Sequence, residues 1–282
     1  MLDIKEKEKC AALLEEKKLF VFDMDGTIYL GGKPFPFAIS FIKHIRASGR
    51  RVLFLTNNAS HDPVFYLEKL ERLGFEPQSE EICTSGNVTA AFLTRKRAGK
   101  RVYLIGTREL YHQFSESGVD LCCDEDGIPD GREADIVVSS FDTSLTYEKL
   151  RVGCDFIRAG AEYLSTHPDY NCPTENGFIP DSGAIAALIT ASTGRTPTYF
   201  GKPYRETVTM ISEITGESMS NTVIFGDRLY TDIAVGKRHG ILSCLVLTGE
   251  STLDDAENAD ECDKPDIVLP SLAEADEIMF PR

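Results

Sequence analysis

No apolar stretch in this sequence approaches the roughly 18–20 residues that a membrane-spanning helix needs. Residues 1–18 mix Lys and Glu with a few apolar positions and hold no signal-peptide core. Both absences point to a soluble cytoplasmic protein. Positive charge is scarce as well: 30 Lys and Arg against 45 Asp and Glu leave a net −15. That balance argues against a groove tracking a nucleic acid polymer, while a local basic pocket for a small anion stays open. The eight cysteines include no CxxC pair and no His at zinc-ligand spacing, so reduced and mostly packed thiols are expected. No GxGxxG follows a strand, and neither an internal repeat nor a low-complexity linker interrupts the chain.

What is present is ordinary for a soluble enzyme: 282 residues, 42% apolar and 27% charged, enough for one large or two modest domains. The acidity is uneven. From Glu250 onward eleven acids face only Lys264 and Arg282, which accounts for −9 of the net charge. Without a loop glycine at ion-binding spacing, this segment reads as a solvated face.

Short apolar runs alternate with helical patterns, the signature of βαβ units and a parallel sheet. Leu19–Phe22, Val52–Leu55, Thr222–Phe225, Leu242–Leu247 and Asp266–Leu269 read as strands. Phe37, Phe41 and Ile45, with Ala38 and Ile42 between them, form a helical stripe that Gly49 can end. Asp62-Pro63 offers an N-cap and first helical residue for a helix carrying Val64, Leu67 and Leu70 up to Gly74. Val208 with Ile211, and Ile233 with Ala234, mark two later helices. Between about Ser85 and Thr190 the alternation restarts, with strands at Arg101–Ile105, Ile136–Ser139 and Tyr163–Thr166 and a helical face of Tyr147, Leu150, Cys154 and Ile157. The expected organisation is one domain, 1–84 with 191–282, interrupted by a smaller α/β domain at 85–190.

In parallel sheets the residues just past the strands' C-terminal ends line the ligand crevice. Those positions hold Asp23-Met24-Asp25-Gly26-Thr27, Thr56-Asn57-Asn58, Gly201-Lys202-Pro203 and Gly226-Asp227 through Asp232. Each alone has a plain reading as a turn, a cap or a solvated lysine. A crevice collecting four Asp needs a cation, because two carboxylates about 4 Å apart repel by roughly 4 kcal/mol at an effective dielectric near 20. Oxygen-only ligands favour a hard ion such as Mg²⁺, with Lys202 and the Thr56–Asn57 donors left to face a phosphate.

The four elements, in this order, resemble the haloacid-dehalogenase (HAD) superfamily of phosphotransferases: Asp23-x-Asp25-x-Thr27, then Thr56, then Lys202, then Gly226-Asp227-x-x-x-x-Asp232. Leu55-Thr56-Asn57-Asn58, Gly201-Lys202-Pro203 and Gly226-Asp227-Arg228-Leu229-x-Thr231-Asp232-Ile233 are similar to the NagD-type, p-nitrophenyl-phosphatase-like branch. The insert joins the resemblance at Ser165-Thr166-His167-Pro168-Asp169 and Pro180-Asp181-Ser182-Gly183.

The resemblance implies a Rossmann-like parallel-sheet core with an inserted smaller α/β cap domain. It implies Asp23 as nucleophile, forming a phosphoaspartate, and Asp25 as general acid and then base. Asp23, Asp227 and the main-chain carbonyl of Asp25 would hold Mg²⁺, with Asp232 orienting a bound water or Lys202. Thr56, Asn57, Asn58 and Lys202 would bind the phosphoryl oxygens. In the cap, His167, Asp169 and Asn171, with Tyr170 between them, are candidates to reach the leaving group; a turn built around Pro168 and Pro173 is the competing reading of that stretch. An Asp at position 25, where superfamily ATPases carry Thr, favours hydrolysis of an external ester. The chain departs from the branch pattern at Phe37, His167, Asp181 and Tyr230.

The expected activity is therefore Mg²⁺-dependent hydrolysis of a small phosphorylated metabolite: a sugar phosphate, glycerol phosphate or nucleoside monophosphate. Transfer to an alcohol acceptor and a non-catalytic phosphate-sensing module are the alternatives, and pairing of two chains through the cap stays open.

Overall fold

The unbroken apolar run Leu19–Phe22 sits at the centre of a six-stranded sheet in the computed structural model, which describes residues 4–174 and 177–281. Four consecutive apolar residues are buried on both faces when a parallel sheet is covered by helices. Across the sheet the order is Ile267–Leu269, Leu242–Val246, Thr222–Gly226, Leu19–Asp23, Arg51–Thr56 and Ile82–Thr84. From the first of these to the fifth, every register is parallel. The chain lays down Leu19–Asp23, steps to one side for Arg51–Thr56 and later to the other for Thr222–Gly226. The order thus reverses between the strands that end in Asp23 and Gly226, and such a reversal opens a crevice at their carboxyl ends.

Two units divide the chain. The first takes the chain up to Leu55, Tyr66–Cys83 and everything from Val208; the second takes Thr56–Phe65 and Thr84–Thr207. In the first, the helix Pro36–Ala47 starts on a proline whose fixed φ suits the first helical position, and gives way at Gly49 with φ of 80°. It buries Ala38, Phe41, Ile42 and Ile45. Phe37, expected on that face, is only partly buried and stacks on Phe35 at 5.3 Å between centroids. Phe41 meets Phe20, Phe22 and Phe225 edge-on at 6.3, 5.9 and 5.7 Å, while Phe225 stacks on Phe22 at 5.3 Å. These separations lie in the favourable range for aromatic pairs and tie a helix to both central strands.

The helix Pro63–Arg72 is capped as expected, with Asp62 Oδ1 accepting the Phe65 N–H at 2.8 Å. Its buried face is Tyr66 and Leu70, however, and Val64 is 58% exposed. A one-residue error in the stripe rotates the inferred face by about 100°. The helix expected around Ile233 starts instead as a five-residue π-type turn, Leu229–Ile233, before Ala234–His239 becomes α-helical. The acid-rich segment is mostly exposed, and it also makes ion pairs. Asp263, Asp266 and Asp276 pair with Arg238, Lys237 and His44 at 3.1, 2.5 and 2.6 Å.

The second unit holds a wholly parallel five-stranded sheet, ordered Thr198–Tyr199, Glu162–Ser165, Ile136–Ser139, Arg101–Ile105 and Asp120–Leu121. An antiparallel hairpin, Asn171–Thr174 with Gly177–Pro180, precedes the helix Ser182–Thr193. The helix Tyr147–Ala159 buries Lys149, Val152, Gly153, Cys154 and Ile157, whereas Tyr147 is 83% exposed, contrary to the expected face. Lys149 goes inside because its ammonium is fully engaged, by Asp142 at 2.9 Å, the Gly106 carbonyl at 3.0 Å and Ser144 Oγ at 3.1 Å.

The α/β class and parallel core read from the sequence are those of the structure. All eight cysteines are free thiols, six of them buried. Among the described residues, no helix is long and apolar enough to cross a membrane. Phe41→Ala should lower the unfolding free energy by about 3–5 kcal/mol in chemical denaturation, and Phe41→Leu distinctly less. Equal losses for the two would mean that the loss is not set by the volume removed.

Candidate active site

Asp23 ends the central strand and Asp227 follows its neighbour, so the reversal of strand order brings two carboxylates to one crevice. Asp232 joins them from the π-type turn. Each of the three offers an oxygen within 4.8 Å of the others, and all three residues are buried. Like charges at that spacing repel by about 3–4 kcal/mol per pair at an effective dielectric near 20. The chain supplies some compensation: Asp227 Oδ2 accepts the Glu250 N–H at 2.7 Å, and Asp232 Oδ2 accepts the Arg228 N–H at 3.2 Å. An all-oxygen, anionic donor set of this kind fits a hard divalent cation.

Three glycines make room for the cluster. A Cβ at Gly26 or Gly249 would run into the Asp227 carboxylate, and one at Gly226 into Asp232. The glycine of Gly226-Asp227 is therefore set by packing against Asp232. At Gly26, φ of 84° adds a backbone reason, and its carbonyl accepts the Thr248 hydroxyl at 2.6 Å.

Asp25 lies two residues past Asp23 on a turn held by Gly26 N–H to the Tyr29 carbonyl at 2.8 Å. Burial raises its carboxyl above its ordinary pKa, against the opposing pull of the Lys69 ammonium, the Tyr29 hydroxyl and the Arg228 guanidinium. Tyr29 is itself wholly buried, its phenol pushed well up by burial and then by Asp25, and Lys69 Nζ stands 4.0 Å from the centre of its ring. A carboxyl that keeps its proton to higher pH is suited to donate it. Tyr29 and Lys69 escape a reading of the sequence; the hairpin Tyr29–Leu30 with Lys33–Pro34 that seats the tyrosine is too short to leave a pattern.

Thr56, Asn57, Asn58 and Lys202 belong to the second unit, as do His167, Asp169 and Asn171. Thr56 Oγ1 accepts the Asn58 N–H at 3.1 Å, and Asn58 Oδ1 accepts the Ser60 N–H at 2.9 Å. Asn57 is joined to Lys202 twice: Oδ1 accepts the Lys202 N–H at 2.7 Å, and Nδ2 donates to the Lys202 carbonyl at 3.1 Å. The same Nδ2 donates to Asp169 at 3.1 Å.

His167 is wholly buried, with Nε2 2.8 Å from Asp181 Oδ1 and Nδ1 3.0 Å from Thr166 Oγ1. Asn171 opens the hairpin and is exposed, and Tyr170 beside it is exposed too. Ser85, whose hydroxyl donates to the Asn57 carbonyl, is a residue the motifs do not pick out. It comes directly after the strand Ile82–Thr84, so recognising that strand would place it among the strand-end residues.

The sequence profile described as Haloacid dehalogenase-like hydrolase matches residues 20–120, and a second, HAD-hydrolase-like, matches residues 199–275. The acid sugar phosphatase of Staphylococcus aureus is 34% identical over 245 residues, 87% of this chain and 92% of that protein. The crystal structure of 4-nitrophenylphosphatase from Thermotoga maritima superposes with a TM-score of 0.86 at 39% identity, covering 95% of this chain and 99% of that one. A glycerol phosphate phosphatase from Mycobacterium tuberculosis, crystallised with magnesium, superposes at 0.84 with 29% identity, over 93% of this chain and 77% of its own. A putative nagD protein superposes at 0.83 with 37% identity, over 94% and 99%. With the motifs in order, the carboxylates gathered at the switch point and relatives that match nearly end to end, the chain belongs to the haloacid dehalogenase-like hydrolases, in the branch of the NagD-type and p-nitrophenyl phosphatases.

Proposed function

We propose that this protein is a Mg²⁺-dependent phosphatase that hydrolyses small-molecule phosphate monoesters through a phosphoaspartate on Asp23. The observation that carries the reading is the buried trio Asp23, Asp227 and Asp232 at the strand reversal, with Asp25 alongside as a carboxyl biased towards its protonated form. The relatives named acid sugar phosphatase, glycerol phosphate phosphatase and 4-nitrophenylphosphatase support a small ester as substrate.

Asp23 attacks phosphorus with a carboxylate oxygen, and the ester P–O bond breaks. Asp25 gives its proton to the departing alcohol oxygen. A water then attacks the acyl phosphate, Asp25 takes the water's proton, and Asp23 is released with inorganic phosphate. Asp23, Asp227 and the Asp25 carbonyl hold the metal, with Asp232 orienting the groups around it; when bound, Mg²⁺ supplies neutralisation of the phosphate charge. Thr56, the Asn57 N–H, Asn58 and Lys202 stabilise charge on the phosphoryl oxygens, where electrostatics provide most of the help. Selection among esters belongs to the cap at 85–190, where Asn171 and Tyr170 are exposed.

Hydrolysis of a panel of sugar phosphates, glycerol phosphate, nucleoside monophosphates and p-nitrophenyl phosphate tests the reading. Activity should vanish on chelation and return with Mg²⁺; full turnover after exhaustive chelation sinks the metal assignment. Including glycerol as an acceptor separates hydrolysis from transfer, which would appear as new phosphoglycerol.

Asp23→Asn should lower kcat at least about a thousandfold with an unchanged melting temperature, since an amide supplies no anionic nucleophile. Activity within tenfold of the unaltered enzyme contradicts the nucleophile role. Asp25→Asn should slow alkyl phosphates by about 10²–10⁴-fold and p-nitrophenyl phosphate much less, because nitrophenolate departs without a proton. Equal slowing of both ester types removes the acid role.

A further inference from the structure

The sequence places Asp169 among the groups that touch the leaving alcohol, yet its surroundings fix it for another task. The residue is 4% exposed, and its main-chain carbonyl accepts the Gly183 N–H at 2.8 Å, at the start of the helix Ser182–Thr193. A Cβ at residue 183 would collide with the Pro168 carbonyl, so the glycine lets the helix start press against this turn. Asp169 is thereby anchored.

From that anchor Asp169 faces the side-chain amide of Asn57, with Nδ2 3.1 and 3.3 Å from its two oxygens. A carboxylate only accepts, so it fixes which end of the amide points where. With Nδ2 turned to Asp169, Oδ1 meets the Lys202 N–H and the second Nδ2 hydrogen meets the Lys202 carbonyl. Asn57 thus grips both main-chain polar groups of one lysine. A Cβ at Gly201 would strike Asn57 Oδ1 at 2.6 Å, so the residue before the lysine is cut back to admit the amide. On the far side, the Ser85 hydroxyl holds the Asn57 carbonyl.

We propose that Asp169 is a positioning residue for the phosphate-binding groups, setting the Asn57 amide that clamps the Lys202 main chain, and not a contact to the leaving group. This rests on the assignment of Lys202 to phosphate made above. Its consequence separates cleanly from a leaving-group role. A contact to the alcohol governs which ester is preferred and does nothing for inorganic phosphate, which has no leaving group. A positioning residue affects inorganic phosphate and every ester alike.

The test uses the full-length enzyme with Mg²⁺, reading competitive inhibition by inorganic phosphate and kcat/KM for three esters, with melting temperature as the check on folding. D169A should raise the phosphate Ki roughly tenfold and lower kcat/KM for all three esters by a common factor, leaving their ranking intact. D169N, whose amide oxygen can accept the same hydrogen bond, should recover to within about threefold of the unaltered enzyme. D169S, too short to reach Asn57, carries the same comparison if D169A does not fold. A re-ordered ester ranking with an unchanged phosphate Ki overturns the proposal, as does a D169N enzyme no better than D169A. K202M separates this proposal from the one beneath it. An unchanged Ki in K202M removes Lys202 from phosphate binding and this inference with it, whereas a raised Ki in K202M beside an unchanged one in D169A overturns this inference alone.

Discussion

Holding Asp23, Asp227 and Asp232 within 4.8 Å of one another, out of water, is the constraint that organises the first unit. Left alone, three such carboxylates would protonate or push apart. They stay together because two come from adjacent strands locked in parallel register and the third from a turn whose Arg228 N–H points back at the cluster. The glycines at 26, 226 and 249 answer the same demand, since any side chain there would occupy the space of a carboxylate. Asp25 sits outside the trio, and burial, outweighing two nearby cations, leaves its proton on to higher pH. Four aspartates of one chemical type thus sit in two environments, three clustered together and one whose carboxyl is raised by burial.

The second unit buries polar groups in another way. It gives them partners of opposite kind, and its one buried carboxylate pair among the described residues, Asp169 and Asp181, lies within 4.8 Å of His167. Lys149 finds Asp142, His167 finds Asp181, and Asn57 spans Asp169 and Lys202. The Asn57 contacts join segments far apart in sequence, so the polar core specifies how the loops at the strand ends are arranged as well as adding stability. Breaking one partner of such a pair leaves the other buried and unsatisfied, which makes these positions sensitive out of proportion to their number.

Legibility in the sequence divides along the same line. Leu19–Phe22 and Thr222–Phe225 announce themselves because a strand buried on both faces is a continuous apolar run, and the polar residues just past its end line the crevice. Asp23, Asp25 and Asp227 are visible for that reason, whereas Lys202 follows the two-residue edge strand Thr198–Tyr199 of the other sheet and is legible only through its motif. Local pattern fails where the deciding partner lies elsewhere in the chain. Nothing local marks Lys149 for burial, which depends on Asp142 and the Gly106 carbonyl beside it, and Tyr147 reads as core until the helix is rotated to suit that lysine. Val64 is misplaced because a helix face inferred from three residues has no margin. The His167-Pro168-Asp169 stretch is recognisable as a motif, but nothing local tells that Asp169 faces Asn57.

The position of Leu19–Asp23 in the middle of its sheet carries a consequence for how the chain is made. One neighbour, Arg51–Thr56, emerges soon after it; the other arrives far later, and the contact between Lys17 and Ser220 across that edge spans 203 residues. At about 5–20 residues per second, synthesis leaves roughly 10–40 s in which a strand of sequence Leu-Phe-Val-Phe has an open edge. An unpaired apolar edge is a template for pairing with another chain. The strand that ends in Asp23 therefore stays open to such pairing for most of the time the chain takes to be made.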